Sequence, residues 1–128
     1  MVTAENTTAP DTSNRTFVKE VAAAIRMNGL EQIQEDYIRY DYEKGEIVGA
    51  CAIGQAAVNL GGIFREQPDY LERQLNQVVL ENHPLNYWEC PRESCGGRQH
   101  LGQLITHLND YHFWTFEEIA DWLDSISE

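Results

Sequence analysis

Basic residues are scarce in this 128-residue chain: nine Lys and Arg face 21 Asp and Glu, for a formal net charge of −12. A field of that sign repels phosphate backbones, so the composition argues against nucleic acid as a general partner. Cysteine is scarcer still. Cys51, Cys90 and Cys95 are an odd number without secretory context, which argues against a disulfide framework and predicts reduced thiols. No run approaches the ~18 consecutive apolar residues of a membrane span. The N-terminal MVTAENTTAPDTSN has neither the basic nor the apolar region of a signal peptide. No membrane contact and a cytoplasmic location are therefore expected. At this length a single modest core can form and a multi-domain enzyme cannot. Apolar residues at 42% and charged ones at 23% are ordinary globular values, which removes wholesale disorder and fibrous architectures.

Residues 1–15 hold little to bury, so the ordering entropy goes unmatched and a flexible tail is expected, followed by one compact domain over 16–128. Phe17, Val21, Ala24, Ile25 and Met27 fall on one helical face, stopped by Asn28-Gly29. Between 32 and 48, Ile33 and Tyr37 suit a helix. Tyr40, Tyr42 and Ile47 around Glu43-Lys44-Gly45 suit two strands and a turn, and the hairpin is the favoured reading. The segment 50–60 is small and apolar nearly all round, a buried helix with Cys51 inside it and Gly61-Gly62 closing it. Asp69 and Glu72 are spaced as a capping box for a helix carrying Tyr70, Leu71, Leu75, Val78 and Val79, ended by His83-Pro84.

Leu101, Leu104, Ile105 and Leu108 then form one amphipathic stripe, broken at Asn109-Asp110. Thr115 and Glu118 are spaced as a second capping box, with Trp114 and Ile119 as its staple and Phe116, Ile119, Ala120, Leu123 and Ile126 as the buried face. The fold class expected is α+β and mainly helical: four or five helices, a small β-hairpin and a C-terminal zinc knuckle over 88–114.

The knuckle rests on Cys90-x4-Cys95-x11-His107-x4-His112, four ligand-type residues within 23 positions. Thiolate and imidazole are what the borderline-soft, tetrahedral zinc ion prefers. His100 is excluded as a partner of His107, since seven residues of helix separate them by about 10 Å. His107 and His112 converge only if the helix loosens near Asn109-Asp110, because an ideal helix splays i and i+5 by about 140°. Pro91 and Gly96-Gly97 suit the tight loop beneath two thiolates. The plainer alternative is two reduced cysteines with histidines capping a helix. Four protein ligands leave no open coordination position, so the site is expected to be structural.

The set resembles the two-Cys, two-His zinc finger, with Trp88 two before the first Cys and Leu104 three before the first His. The gap between the cysteines is long for that family, and Gln99 stands where an aromatic is usual. Arg92 and Arg98 are the candidate finger's bases, balanced by Glu93 and Asp110, which speaks against a DNA-reading role. A wider resemblance links the chain to small uncharacterised phage and bacterial proteins. It is carried by HLND-x-H-x-W-T-x-E-x-IADW over residues 107–122 and by a CAxGAA-like segment at Cys51–Ala57. It implies a shared fold and a phage or bacterial setting, hence a host cytoplasm if phage-encoded, and no activity.

Cys51 is more readily a packing residue than a nucleophile. Asp121, Asp124 and Glu128 read as a solvated face or as an acidic surface for a basic protein partner, and Trp122, off the main stripe, as its anchor. The function expected is a non-enzymatic zinc-stabilised module that binds a protein partner through Trp122, Asp121 and Asp124. The alternatives are a DNA-binding zinc-finger-like regulator and a small hydrolase using a metal or Cys51.

Overall fold

The structure, a computed structural model, describes residues 3–27, 29–92 and 95–128, with side chains from residue 13 onward. Among these residues there are six helices and two small sheets, a mainly helical α+β fold. The elements run α1 (Thr3–Arg26), β1 (Glu31–Gln32), β2 (Ile38–Asp41), β3 (Glu46–Ala50), α2 (Ala52–Leu60), α3 (Gly62–Glu66) and α4 (Pro68–Leu75). A ribbon of β4 (Trp88–Glu89) and β5 (Arg98–Gln99) follows, then α5 (Leu101–Asp110) and α6 (Phe116–Ile126). No helix is long and apolar enough to cross a membrane among the described residues.

The helix expected to begin at Phe17 runs back to Thr3, through most of the segment read as a tail. Polar residues at its described end find partners that composition cannot reveal. Asn14 Nδ2 donates to the Val79 carbonyl at 2.7 Å, and Arg15 pairs with Glu81 at 3.2 Å. At the other end Asn28 lies outside the described residues. The carbonyls that α1 leaves open there are satisfied from α2. Gln55 Nε2 donates to the carbonyls of Ile25 and Met27, and Asn59 Nδ2 to that of Ala24, each at 2.8 Å.

The 38–50 segment is a hairpin. Asp41 Oδ1 accepts from the backbone N–H groups of Glu43 and Lys44, and Gly45 turns the chain at φ +69°. β1 adds in parallel on the far side of β3, giving the order β1-β3-β2. Cys51 is not inside α2 as expected but caps it, its sulfur accepting from the Gly54 N–H at 3.5 Å. The capping box expected at Asp69 is absent. Pro68 opens α4, Asp69 pairs with Arg73, and Glu72 accepts from the Tyr37 hydroxyl. α4 also stops at Leu75, short of His83-Pro84, although Val78 and Leu80 remain buried.

The core joins the stripe of α5 to α2, α4 and α6, with α1 packed on α2 and α6. Val18, Val21, Ile25, Ile53, Leu71, Leu75, Leu101, Leu104, Leu108, Ile119 and Leu123 are fully buried within it. Gly102 allows α5 to lie on α4, since a Cβ there would sit 2.4 Å from the Glu72 carbonyl oxygen. The predicted box at the start of α6 is present in both halves: Thr115 Oγ1 accepts from the Glu118 N–H, and the Glu118 carboxylate from the Thr115 N–H.

α5 ends at Asp110, as the Asn109-Asp110 pair predicts, and Asn109 is also a fully buried connector. Its Oδ1 accepts from Gln32 Nε2 at 2.8 Å and from the Ala52 N–H at 3.1 Å, and its Nδ2 donates to the Ile33 carbonyl at 2.8 Å. Gln32 continues the link, donating to the Trp114 carbonyl and accepting from the Phe116 N–H. One amide thus joins α5 to β1 and α2, and a second joins β1 to the start of α6. Replacing Asn109 with Leu strands several buried polar groups at once and is expected to cost about 2–4 kcal/mol in urea unfolding. Thr115→Ala, which removes a cap, should cost only about 1 kcal/mol; equal effects would contradict the connector role.

Candidate metal centre

β4 and β5 pair Trp88 with Gln99 and Glu89 with Arg98, so the chain leaves the ribbon at Cys90 and re-enters it at Arg98, three residues after Cys95. The Cys90 N–H donates to the Gly97 carbonyl at 2.8 Å, the Cys95 N–H donates to the Arg92 carbonyl at 3.2 Å, and Gly96 reverses the chain at φ +70°. β5 leads directly into α5, whose last turn carries His107. The loosening that the spacing requires comes at Tyr111, one residue after Asp110. The N–H groups of Tyr111 and His112 both point to the His107 carbonyl, at 2.9 and 3.4 Å. Phe113 then adopts φ +54°, and the Trp114 N–H closes onto the Leu108 carbonyl at 3.0 Å. This reversal swings His112 back to its neighbour, the two rings perpendicular with centroids 4.6 Å apart.

Cys90, Cys95, His107 and His112 therefore converge, with one ligand atom from each within 4.8 Å of all the others. Cys95 Sγ lies 3.4 Å from His107 Nε2. Tetrahedral bonds of zinc length place such atoms about 3.3–3.8 Å apart, so an ion would draw the set in by roughly 1 Å. The residues fit a metal on a second count. His112 Nε2 is buried with no hydrogen-bond partner, an orphan that coordination satisfies. Burial, and then the nearby His112, push the His107 pKa down, which favours the neutral imidazole that binds metals. Burial pushes the Cys90 thiol up, so taking up an ion means giving up thiol protons. His100 stays out of the set, its Nδ1 2.7 Å from the Asn86 carbonyl. His83 is half-buried and stacked on Trp88, the ring centroids 3.8 Å apart.

The residues expected to meet a partner are placed differently. Asp121 and Asp124, with Glu117, surround the Arg26 guanidinium at 2.5, 2.6 and 3.0 Å and tie α6 to the end of α1. They are engaged within the chain, and the three acids hold the charge on Arg26 more firmly still. The signal for this in the sequence was a lone base at the end of a helix in a strongly acidic chain. Trp122 is half-buried on the wall of a groove facing the ribbon.

Cys51 lines a separate cavity of about 270 Å³ with Glu35, Asp36, Tyr37, Glu72 and Asp110. Burial pushes its thiol up to about 11, and the nearby Asp110 and Glu72 carboxylates act in the same direction. Both effects oppose the thiolate that a nucleophile requires. Comparison with protein-family models, curated proteins and solved structures finds no match.

The three thiols should separate by reagent. In the metal-loaded protein all three are expected to resist a bulky disulfide reagent; chelation should free Cys90 and Cys95, and Cys51 should react only on unfolding. Because the folded state holds the Cys51 proton that the unfolded chain sheds above its ordinary pKa of about 8.5, stability should fall as pH rises from there toward 11. Cys51→Ala should remove that slope; a slope unchanged by the substitution would assign it elsewhere.

Proposed function

We propose that this protein is a non-enzymatic, zinc-stabilised interaction module of phage or bacterial origin that binds a protein partner in the cytoplasm. The convergence of two sulfurs and two imidazoles on one point carries the reading. That mixed donor set suits zinc better than the hard, oxygen-seeking ions. Four protein ligands complete a tetrahedron, so the ion fixes the ribbon to the α5–α6 reversal and leaves no coordination position for substrate. When bound, zinc supplies cross-linking free energy, on the order of 10 kcal/mol in peptide systems, coupled to folding of this region.

Cys51, the other chemically interesting group, is held as a neutral thiol among carboxylates. A DNA-reading role finds no support in the ribbon, where Arg98 faces Glu89 at 3.8 Å. Recognition of a protein is supported by aromatic surface left open, since Tyr42, Tyr111 and Phe113 are 88%, 74% and 67% exposed. The phage or bacterial setting rests on the 107–122 motif. Several of its residues do structural work here: Asn109 is the buried connector, Thr115 the cap and Asp121 a partner of Arg26. A motif of that kind reports a shared fold more than a shared reaction.

Native mass spectrometry tests the reading. The wild-type chain and Cys51→Ser are expected to carry one zinc each and Cys90→Ser none, with a lower Tm for the last. A wild-type chain that takes up no zinc, or a Cys90→Ser chain that keeps it with full affinity, would overturn the proposal.

A further inference from the structure

A groove of about 570 Å³ runs between the β4–β5 ribbon and α6. Leu85, Tyr87, Trp88 and Pro91 line one side, and Trp122 and Ile126, one turn apart on α6, line the other. Leu85 is 52% exposed, so apolar surface stands open at the rim. Trp88 is only 6% exposed, and its indole N–H has no acceptor. Buried indole N–H groups ordinarily have one. The ring is held in place by its stack on His83, whose Nε2 lies 2.9 Å from the Tyr87 carbonyl. The charges at the groove, Arg98 and Glu89, offset each other, whereas the chain as a whole carries −12.

We propose that this groove docks an extended, proline-containing segment of a protein partner, flanked by basic residues. The inference rests on the interaction-module reading and names its partner class and place of docking. Aromatic walls select rigid, flat apolar rings, and a polyproline II segment presents prolines at little entropic cost. Such a segment has no internal hydrogen bonds, so its carbonyls are free to accept from the exposed Arg98 guanidinium on the groove wall. A helix spends its carbonyls on itself and offers such a donor nothing along its length. The basic flanks follow from the net charge, which attracts cations to an otherwise neutral groove. One wall ends at Cys90, so the ion that fixes the ribbon also fixes the binding surface.

Isothermal titration of the zinc-loaded full chain decides the matter. The probe is a short peptide of alternating proline and leucine flanked by arginines, compared with the same peptide carrying alanine for every proline. Saturable binding with a Kd below about 1 mM is expected, weakened about tenfold or more by the alanine peptide, by Leu85→Glu and by Trp122→Ala. Leu85→Glu alters an exposed side chain and leaves the core intact, so its Tm should match wild type. No saturable binding by zinc-loaded protein, equal binding of both peptides, or wild-type affinity in Leu85→Glu overturns the groove assignment and leaves the metal centre standing. Zinc content of the same samples, measured in parallel, reports separately on the proposed function, which fails if the chain holds no zinc.

Discussion

The chain reverses between Asp110 and Thr115, and the rest of the carboxyl-terminal half depends on how that reversal is held. Two devices meet there. Asn109 holds it from inside, bonding to β1 and the first turn of α2. The Cys/His cluster holds it from outside, gathering the ribbon against His107 and His112. His107 and Asn109 share the last turn of α5, so the geometry of the ligands and the packing of the core are set together. Phe113 in a left-handed conformation is the local cost, about 1 kcal/mol or more for a residue with a side chain, and is sustained because both neighbours are fixed.

The acidic composition takes a different meaning once the helices are in place. Three carboxylates of α6 surround Arg26 and serve the α1–α6 contact, and Glu72 accepts from Tyr37 between α4 and the hairpin. Exposed pairs of this kind contribute little individually, yet a shared guanidinium fixes the angle between two helices more firmly than a single pair can. Surface acidity is therefore partly structural. The aromatic groove beside α6, the proposed docking site, keeps apolar surface open at its rim.

Much of this was legible in the residues. The stripe Leu101–Leu108, the box Thr115–Glu118, the hairpin around Gly45 and the ligand spacing all arise from local periodicity or local chemistry, and each appears where expected. What stayed hidden depends on contacts distant in sequence. Asn109 looks like a breaker because its partners lie 57 to 77 residues away. Cys51 looks like a helix interior residue because an apolar neighbourhood does not mark where the first turn begins. Asp69 and Glu72 matched a box by spacing, but Pro68 took the first helical position and Tyr37 took the carboxylate. The part of α1 just ahead of Phe17 belongs to the same class, since Asn14 and Arg15 draw their partners from residues 79 and 81.

The proposed function requires an ion enclosed by its four protein ligands, holding shape and offering no place for reaction. X-ray absorption at the zinc edge on the loaded protein reads that shell directly. Two sulfurs at about 2.3 Å and two imidazole nitrogens at about 2.0 Å, with no further oxygen, are predicted. A shell with a water oxygen, or with fewer than two sulfurs, would contradict it.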